Sequence, residues 1–150
     1  MITVKHGVFH LQNERSSYLF RVRDGFLEHL HFGARVNASD ADALAVRPGC
    51  GWGDSTLYRE GSNANCLDIL PLEWSGCGRG DYRESPVELA QNGLPISTEF
   101  RYTGCEARKT PLLSALPASR GQATLAVYLE DSAAKLRLTL LYGVLPTVFT

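Results

Sequence analysis

The chain has 150 residues, with 15 Lys plus Arg against 16 Asp plus Glu and a formal net charge of −1. That length accommodates one domain with a real hydrophobic core and no second large one, and the balanced charge excludes the basic field that a nucleic-acid surface requires. No apolar run approaches membrane-spanning length, and the stretch from Met1 to Gly7 has neither the apolar core nor the cleavage site of a leader, so a cytoplasmic protein with no membrane partner is expected.

In chain order, the first clear element is Ser17 to Arg23, where Tyr18, Phe20 and Val22 alternate with Arg21 and Arg23, the period of a half-buried strand. Asp24-Gly25 then turns the chain into Phe26 to Phe32, a second alternating run that Gly33 ends, and the two read as an antiparallel hairpin. His29 and His31 lie two apart on that run and are expected to share a strand face. They would make half of a metal site, but no third ligand is apparent, and no metal is expected.

Ala34 to Asn65 is rich in Gly, Asp, Ser and Asn. A connection of that length inside a compact domain more often marks a functional loop than a linker. The next segment, Leu70 to Leu89, is LPLEWSGCGRGDYRESPVEL. Gly76, Gly78 and Gly80 are spaced by two and open backbone conformations closed to other residues, while Glu73, Trp74, Asp81, Tyr82, Arg83 and Glu84 supply acids, bases and flat rings. A shaped loop carried on rigid strands is implied. Asp81 and Arg83, two apart on an extended chain, can share a face and pair with each other or with a neighbouring domain, or they can contact sugar directly. Glu73 and Trp74 carry the same alternatives.

Val87 to Leu89, Thr98 to Thr103 and Cys105 to Lys109 read as further short strands, with Gln91-Asn92-Gly93 as turn chemistry. The strongest alternation comes last. Leu125, Val127 and Leu129 alternate with Thr124, Ala126 and Tyr128, the chain turns at Glu130-Asp131-Ser132, and Leu136, Leu138 and Leu140 continue as a core stripe. Pro146 to Thr150 begins another strand and stops, which suggests a longer polypeptide or else an edge strand that ends. No stretch carries a helical stripe. The four cysteines, Cys50, Cys66, Cys77 and Cys105, form no C-x-x-C pair, so free thiols are expected rather than a zinc site. The whole pattern predicts an all-β fold, a two-layer β-sandwich of mainly antiparallel strands spanning 1–150 as a single domain.

Ser17-Tyr18-Leu19-Phe20 with Gly25-Phe26-Leu27, the L-P-x-E-aromatic turn at Leu70 to Trp74, the Gly78-x-Gly80-Asp81-Tyr82-Arg83 run and the Leu125-to-Tyr142 hairpin resemble the N-terminal β-supersandwich of family 36 glycoside hydrolases, the microbial α-galactosidases. Leu112 to Ala118 resembles the family's G-L-P-A turn, with Ala115 where glycine is common. The resemblance implies a retaining enzyme that removes terminal α-linked galactose from oligosaccharides without a cofactor. Its two carboxyl groups come from a (β/α)8 barrel that would follow this chain, so no catalytic residue is expected here, and the chain alone should be inactive.

The resemblance further implies a homo-oligomer, a tetramer in the family, in which loops of this domain help close the pocket over galactosides. Asp54, beside Trp52, is the nearest counterpart of the family's sugar-binding loop acid, although the flanking residues depart from the usual proline- and arginine-rich loop; the other reading of Asp54 is a solvated loop acid. A carboxylate would accept hydrogen bonds from sugar hydroxyls, and the ring would cover the apolar face of galactose. Glu73, Trp74, Asp81 and Arg83 are assigned to loop shaping or an interface. A free-standing carbohydrate-binding or interaction module is the alternative.

Overall fold

Nine strands, one 3-10 turn at Ala38–Asp40 and one short α-helix make up the regular structure among the described residues of the computed structural model, which are 1–46, 67–76, 78, 80–109 and 123–146. Trp52 and Asp54 fall outside the described residues, as do Cys50, Cys66, Cys77 and the 112–118 turn. The strands are β1 (Ile2–Lys5), β2 (Val8–Gln12), β3 (Ser16–Arg23), β4 (Phe26–Ala34), β5 (Leu89–Gln91), β6 (Leu94–Ile96), β7 (Arg101–Arg108), β8 (Ala123–Asp131) and β9 (Leu136–Val144). Strands β1-β2-β3-β4 form one antiparallel sheet in sequence order, β7-β8-β9 form a second, and β5-β6 stand apart as a hairpin. The expected all-β sandwich is what the chain forms.

Each meander follows from local chemistry. Alternating apolar residues turn one face of β3, β8 and β9 toward the core, and two-residue turns at His6-Gly7, Asp24-Gly25 and Asn92-Gly93 have positive φ at both positions, the twist that joins antiparallel neighbours. The β1-β2 hairpin lies outside the strands read from the sequence. Its apolar run is short and its turn residue is His, a weaker signal than Asp or Asn before Gly. The two short strands expected at Thr98 to Thr103 and Cys105 to Lys109 are one strand, β7, which runs through Gly104 with a register shift between Tyr102 and Gly104. The strand expected from Val87 begins only at Leu89.

The core lies between the two sheets. Phe9, Leu11, Phe20 and Leu27 from the first sheet meet Leu125, Val127, Leu129 and Val144 from the second, with Phe100 beside them. Phe9 stacks on Phe20 at 4.5 Å, Phe20 on Tyr142 at 5.0 Å, and Tyr102 meets Phe9 edge-on at 5.9 Å, so aromatic rings bridge the sheets. Burying each such side chain contributes about 1.5–3 kcal/mol. Leu136, Leu138 and Leu140 pack against this core but are only partly buried, which makes central strand β8 rather than β9 the heart of the second sheet.

A bulge in β4 overturns one expectation. Phe20 pairs with His29 and Leu19 with His31, so Leu30 is an extra residue in the ladder. An extra residue reverses the parity of everything beyond it, and His29 and His31 therefore lie on opposite faces. The outer face beyond the bulge is covered by α1 (Ala41–Leu44), where Ala41 packs with Leu19 and Leu30. Farther along that face, buried Glu28 is held by Arg21 at 2.6 Å and Arg23 at 3.2 Å, and Arg21 also reaches Asp42.

Candidate functional site

The L-P-L-E-W turn docks on the free edge of β4 as a short added strand. His29 N–H donates to the Pro71 carbonyl at 2.6 Å, Glu73 N–H donates to the Leu27 carbonyl at 3.0 Å, and Glu28 and Leu72 form the bridge between them. This pairing fixes the direction of Glu73, whose side chain is only 4% exposed. Three donors from three different strands converge on it: the Tyr18 hydroxyl at 2.9 and 2.8 Å, the Tyr142 hydroxyl at 2.8 Å, and His29 Nδ1 at 2.7 Å. Tyr18 also meets the His29 ring edge-on at 5.0 Å, and the exposed ring of Phe32 lies 5.7 Å away.

Burial, reinforced by the charge and hydrogen bonds of Glu73, holds both phenols protonated well above the usual tyrosine range. In the sequence Tyr18 reads as one face of an alternating strand, Tyr142 as the end of the last hairpin, and His29 as half of an incomplete metal pair. The available signal was a tyrosine, with a hydroxyl at its tip, at an inward position of β3 and again of β9, beside a lone acid in an apolar turn.

The glycine-rich segment closes on itself a few residues later. Asp81 N–H donates to the Gly78 carbonyl at 3.1 Å, and Gly78 N–H donates back to the Asp81 carbonyl. The buried Asp81 side chain accepts from Arg83 Nε at 2.8 Å through Oδ1, and the same guanidinium donates to the carbonyls of Leu70 at 2.6 Å and Leu67 at 2.7 Å. Such a planar fork satisfies several acceptors at fixed angles. Gly76 sits directly on the backbone of Thr98, where a Cβ would come within 2.3 Å of its carbonyl oxygen. Trp74 packs edge-on against Phe100 at 6.3 Å, and Tyr82 between the paired residues is 74% exposed.

Of the residues singled out in the sequence, Glu73 belongs to the tyrosine cluster, while Trp74, Asp81 and Arg83 gather around the glycines. Cys105 carries a free thiol. Its interaction with Tyr102 joins burial, the larger cause, in pushing that phenol up to about 12. No helix among the described residues is long and apolar enough to cross a membrane. In the Glu73 cluster both carboxylate oxygens are taken up by donors, and in the Asp81 cluster one oxygen is committed to Arg83, chemistry that fixes a loop against a sheet.

The sandwich, the docked L-P-L-E-W turn and the glycine-rich clasp make an all-β domain whose polar clusters pin its loops to the first sheet and to the Thr98 backbone. The chain belongs to the family described as the glycosyl hydrolase family 36 N-terminal domain, which matches residues 25–148. It is 28% identical over 144 residues to the bifunctional alpha-galactosidase/sucrose kinase AgaSK of Mediterraneibacter gnavus, covering 92% of this chain and 15% of that protein. It is 31% identical over 150 residues to alpha-galactosidase Mel36A of Lactobacillus acidophilus, covering 93% of this chain and 20% of that enzyme. The solved galactosidase domain of AgaSK superposes with a TM-score of 0.84 at 28% identity, over 97% of this chain and 21% of that one. Alpha-galactosidase AgaA of Geobacillus stearothermophilus gives 0.76 at 28% identity, over 92% and 20%. The chain thus spans about a fifth of the length of these relatives or less.

Proposed function

We propose that this chain is the N-terminal domain of a retaining α-galactosidase that removes terminal α-linked galactose from oligosaccharides. The observation that carries this reading is collinearity: residues 25–148 match one domain of these enzymes, and the fold superposes on a solved member over 97% of the chain. Structures of AgaA variants with raffinose and with stachyose support galactosides as the substrate class. On this reading a barrel later in the polypeptide supplies the nucleophile and the acid/base, two carboxyl groups about 5–5.5 Å apart. The sandwich supports that barrel, takes part in the contacts of a homo-oligomer, a tetramer by family resemblance, and contributes Asp54 and Trp52 to the pocket rim. Glu73, Trp74, Asp81 and Arg83 shape the loops that face the neighbouring domain. The reduced thiol of Cys105 fits a cytoplasmic enzyme, and the balanced charge fits one without nucleic-acid or membrane partners.

The test is turnover of a chromogenic α-galactoside by the protein at its full natural length, with Asp54→Ala alongside and the 150-residue chain as control. Hydrolysis by the long form, none by the short one and weakened turnover in the folded variant are expected. A gene that stops near Thr150, or a folded full-length protein inert toward α-galactosides, overturns the reading in favour of a free-standing binding module. Unchanged kinetics in Asp54→Ala return that residue to solvent.

A further inference from the structure

A small cavity lies beneath the glycine-rich clasp, with Trp74, Gly76, Gly78, Asp81, Thr98 and Phe100 among its lining residues. Two buried polar atoms on lining residues, Trp74 Nε1 and Asp81 Oδ2, have no partner among the described residues. Asp81 is only 2% exposed, and its other oxygen is committed to Arg83. Buried polar groups are rarely left unsatisfied, and each one that is calls for a partner. The cavity volume is about 20 Å³, above the roughly 10–15 Å³ that one water requires on this measure. It has no room for a sugar ring.

The chemistry of the two atoms selects the occupant. An indole nitrogen only donates and a carboxylate oxygen only accepts. A metal cation would satisfy the carboxylate but face the indole hydrogen, whereas an anion would satisfy the indole but face the carboxylate. Water accepts from one and donates to the other. Thr98, also buried, brings a third polar residue to the wall. The missing Cβ of Gly76 lets the loop seat directly on the Thr98 backbone.

We infer that this cavity binds one structural water bridging Trp74 Nε1 to Asp81 Oδ2, and that the L-P-L-E-W turn and the clasp of Gly78, Asp81 and Arg83 are two halves of a solvent-bridged unit rather than sugar-contacting loops. The water completes a chain that runs from the carbonyls of Leu67 and Leu70 through Arg83 and Asp81 to Trp74 and the core at Phe100. Trp74 and Asp81 are positioning residues in this arrangement, and the clasp holds Tyr82 outward between its paired neighbours.

The test is a crystal structure of the protein at its full natural length, at a resolution that shows ordered solvent, for the parent and for Trp74→Phe. Density for one water is expected in the parent, about 2.7–3.2 Å from both atoms, with loss of that peak in the variant. Because Trp74→Phe removes no sugar contact on this account, its KM for a chromogenic α-galactoside should stay within about twofold of the parent. A dry cavity, or a protein group bonded to either atom, overturns the bridge. A KM about tenfold higher in a folded variant that retains the water overturns the assignment to structure and returns Trp74 to the sugar site. The density readout does not depend on catalysis, so failure of the water site and failure of the α-galactosidase reading are distinguishable.

Discussion

Truncating Glu73 to Ala removes the one acceptor on which Tyr18, His29 and Tyr142 converge. A buried donor that loses its partner costs about 1–3 kcal/mol when water does not replace it, and hydrogen bonds to a charged acceptor lie toward the strong end. Three donors act here, but they share one site and their losses do not add, so the penalty for breaking a buried charged system, about 3–5 kcal/mol, is the expected total. Glu73→Gln keeps the shape and one carbonyl, and its new N–H2 can donate to a tyrosine hydroxyl that turns to accept, so about 1–2 kcal/mol is expected. Urea denaturation of the purified protein, followed by circular dichroism, measures both, and a double-mutant cycle with Tyr142→Phe should give a coupling of about 1–3 kcal/mol. If Glu73→Ala lies within about 0.5 kcal/mol of the parent, or the coupling vanishes, the cluster does not anchor the turn and the reasoning fails.

Burial, followed by the charges of Arg35, the N-terminal amine and His31, lowers the pKa of His10 below its ordinary 6.5. The unfolded chain therefore takes up a proton near pH 6.5 that the folded one refuses. The contribution is complete above that pH and is lost as pH falls through 6.5 toward the lower folded value, so urea midpoints should drop over that window in the parent and drop less in His10→Gln. Tyr18 and Tyr142 run the other way. Their folded pKa values are raised, so their contribution is complete below the ordinary tyrosine value of 10.0 and lost as pH rises beyond it. An alkaline titration of tyrosinate absorbance should show these two among the six tyrosines ionising only with unfolding. Gly76→Ala should destabilise by about 1–3 kcal/mol in a thermal melt, since its Cβ would meet a backbone oxygen at 2.3 Å. Phe20→Ala, at a fully buried site, should cost about 3–5 kcal/mol, and Leu138→Ala less than the 2–5 of a fully buried leucine because it is only partly covered.

Alternation in the sequence was enough to identify strands β3, β4, β8 and β9, the Asp24-Gly25 turn and the all-β class, because a period of two buries one face whatever the partner strand. The pairing of Asp81 with Arg83 was legible as one alternative, since residues two apart on an extended chain share a face, but the choice between each other, a neighbouring domain and sugar was not. Opposite faces for His29 and His31 were not, because a bulge depends on how β4 pairs with β3 rather than on β4 itself. Nor was the Glu73 cluster, whose partners lie 55, 44 and 69 residues away along the chain. Local sequence sets which residues turn inward, but only sheet register and the packing of one sheet on the other decide which of those inward polar tips meet. The carboxylate and its three donors are joined by that packing, and so are Trp74 and Asp81, which line the cavity under the glycines.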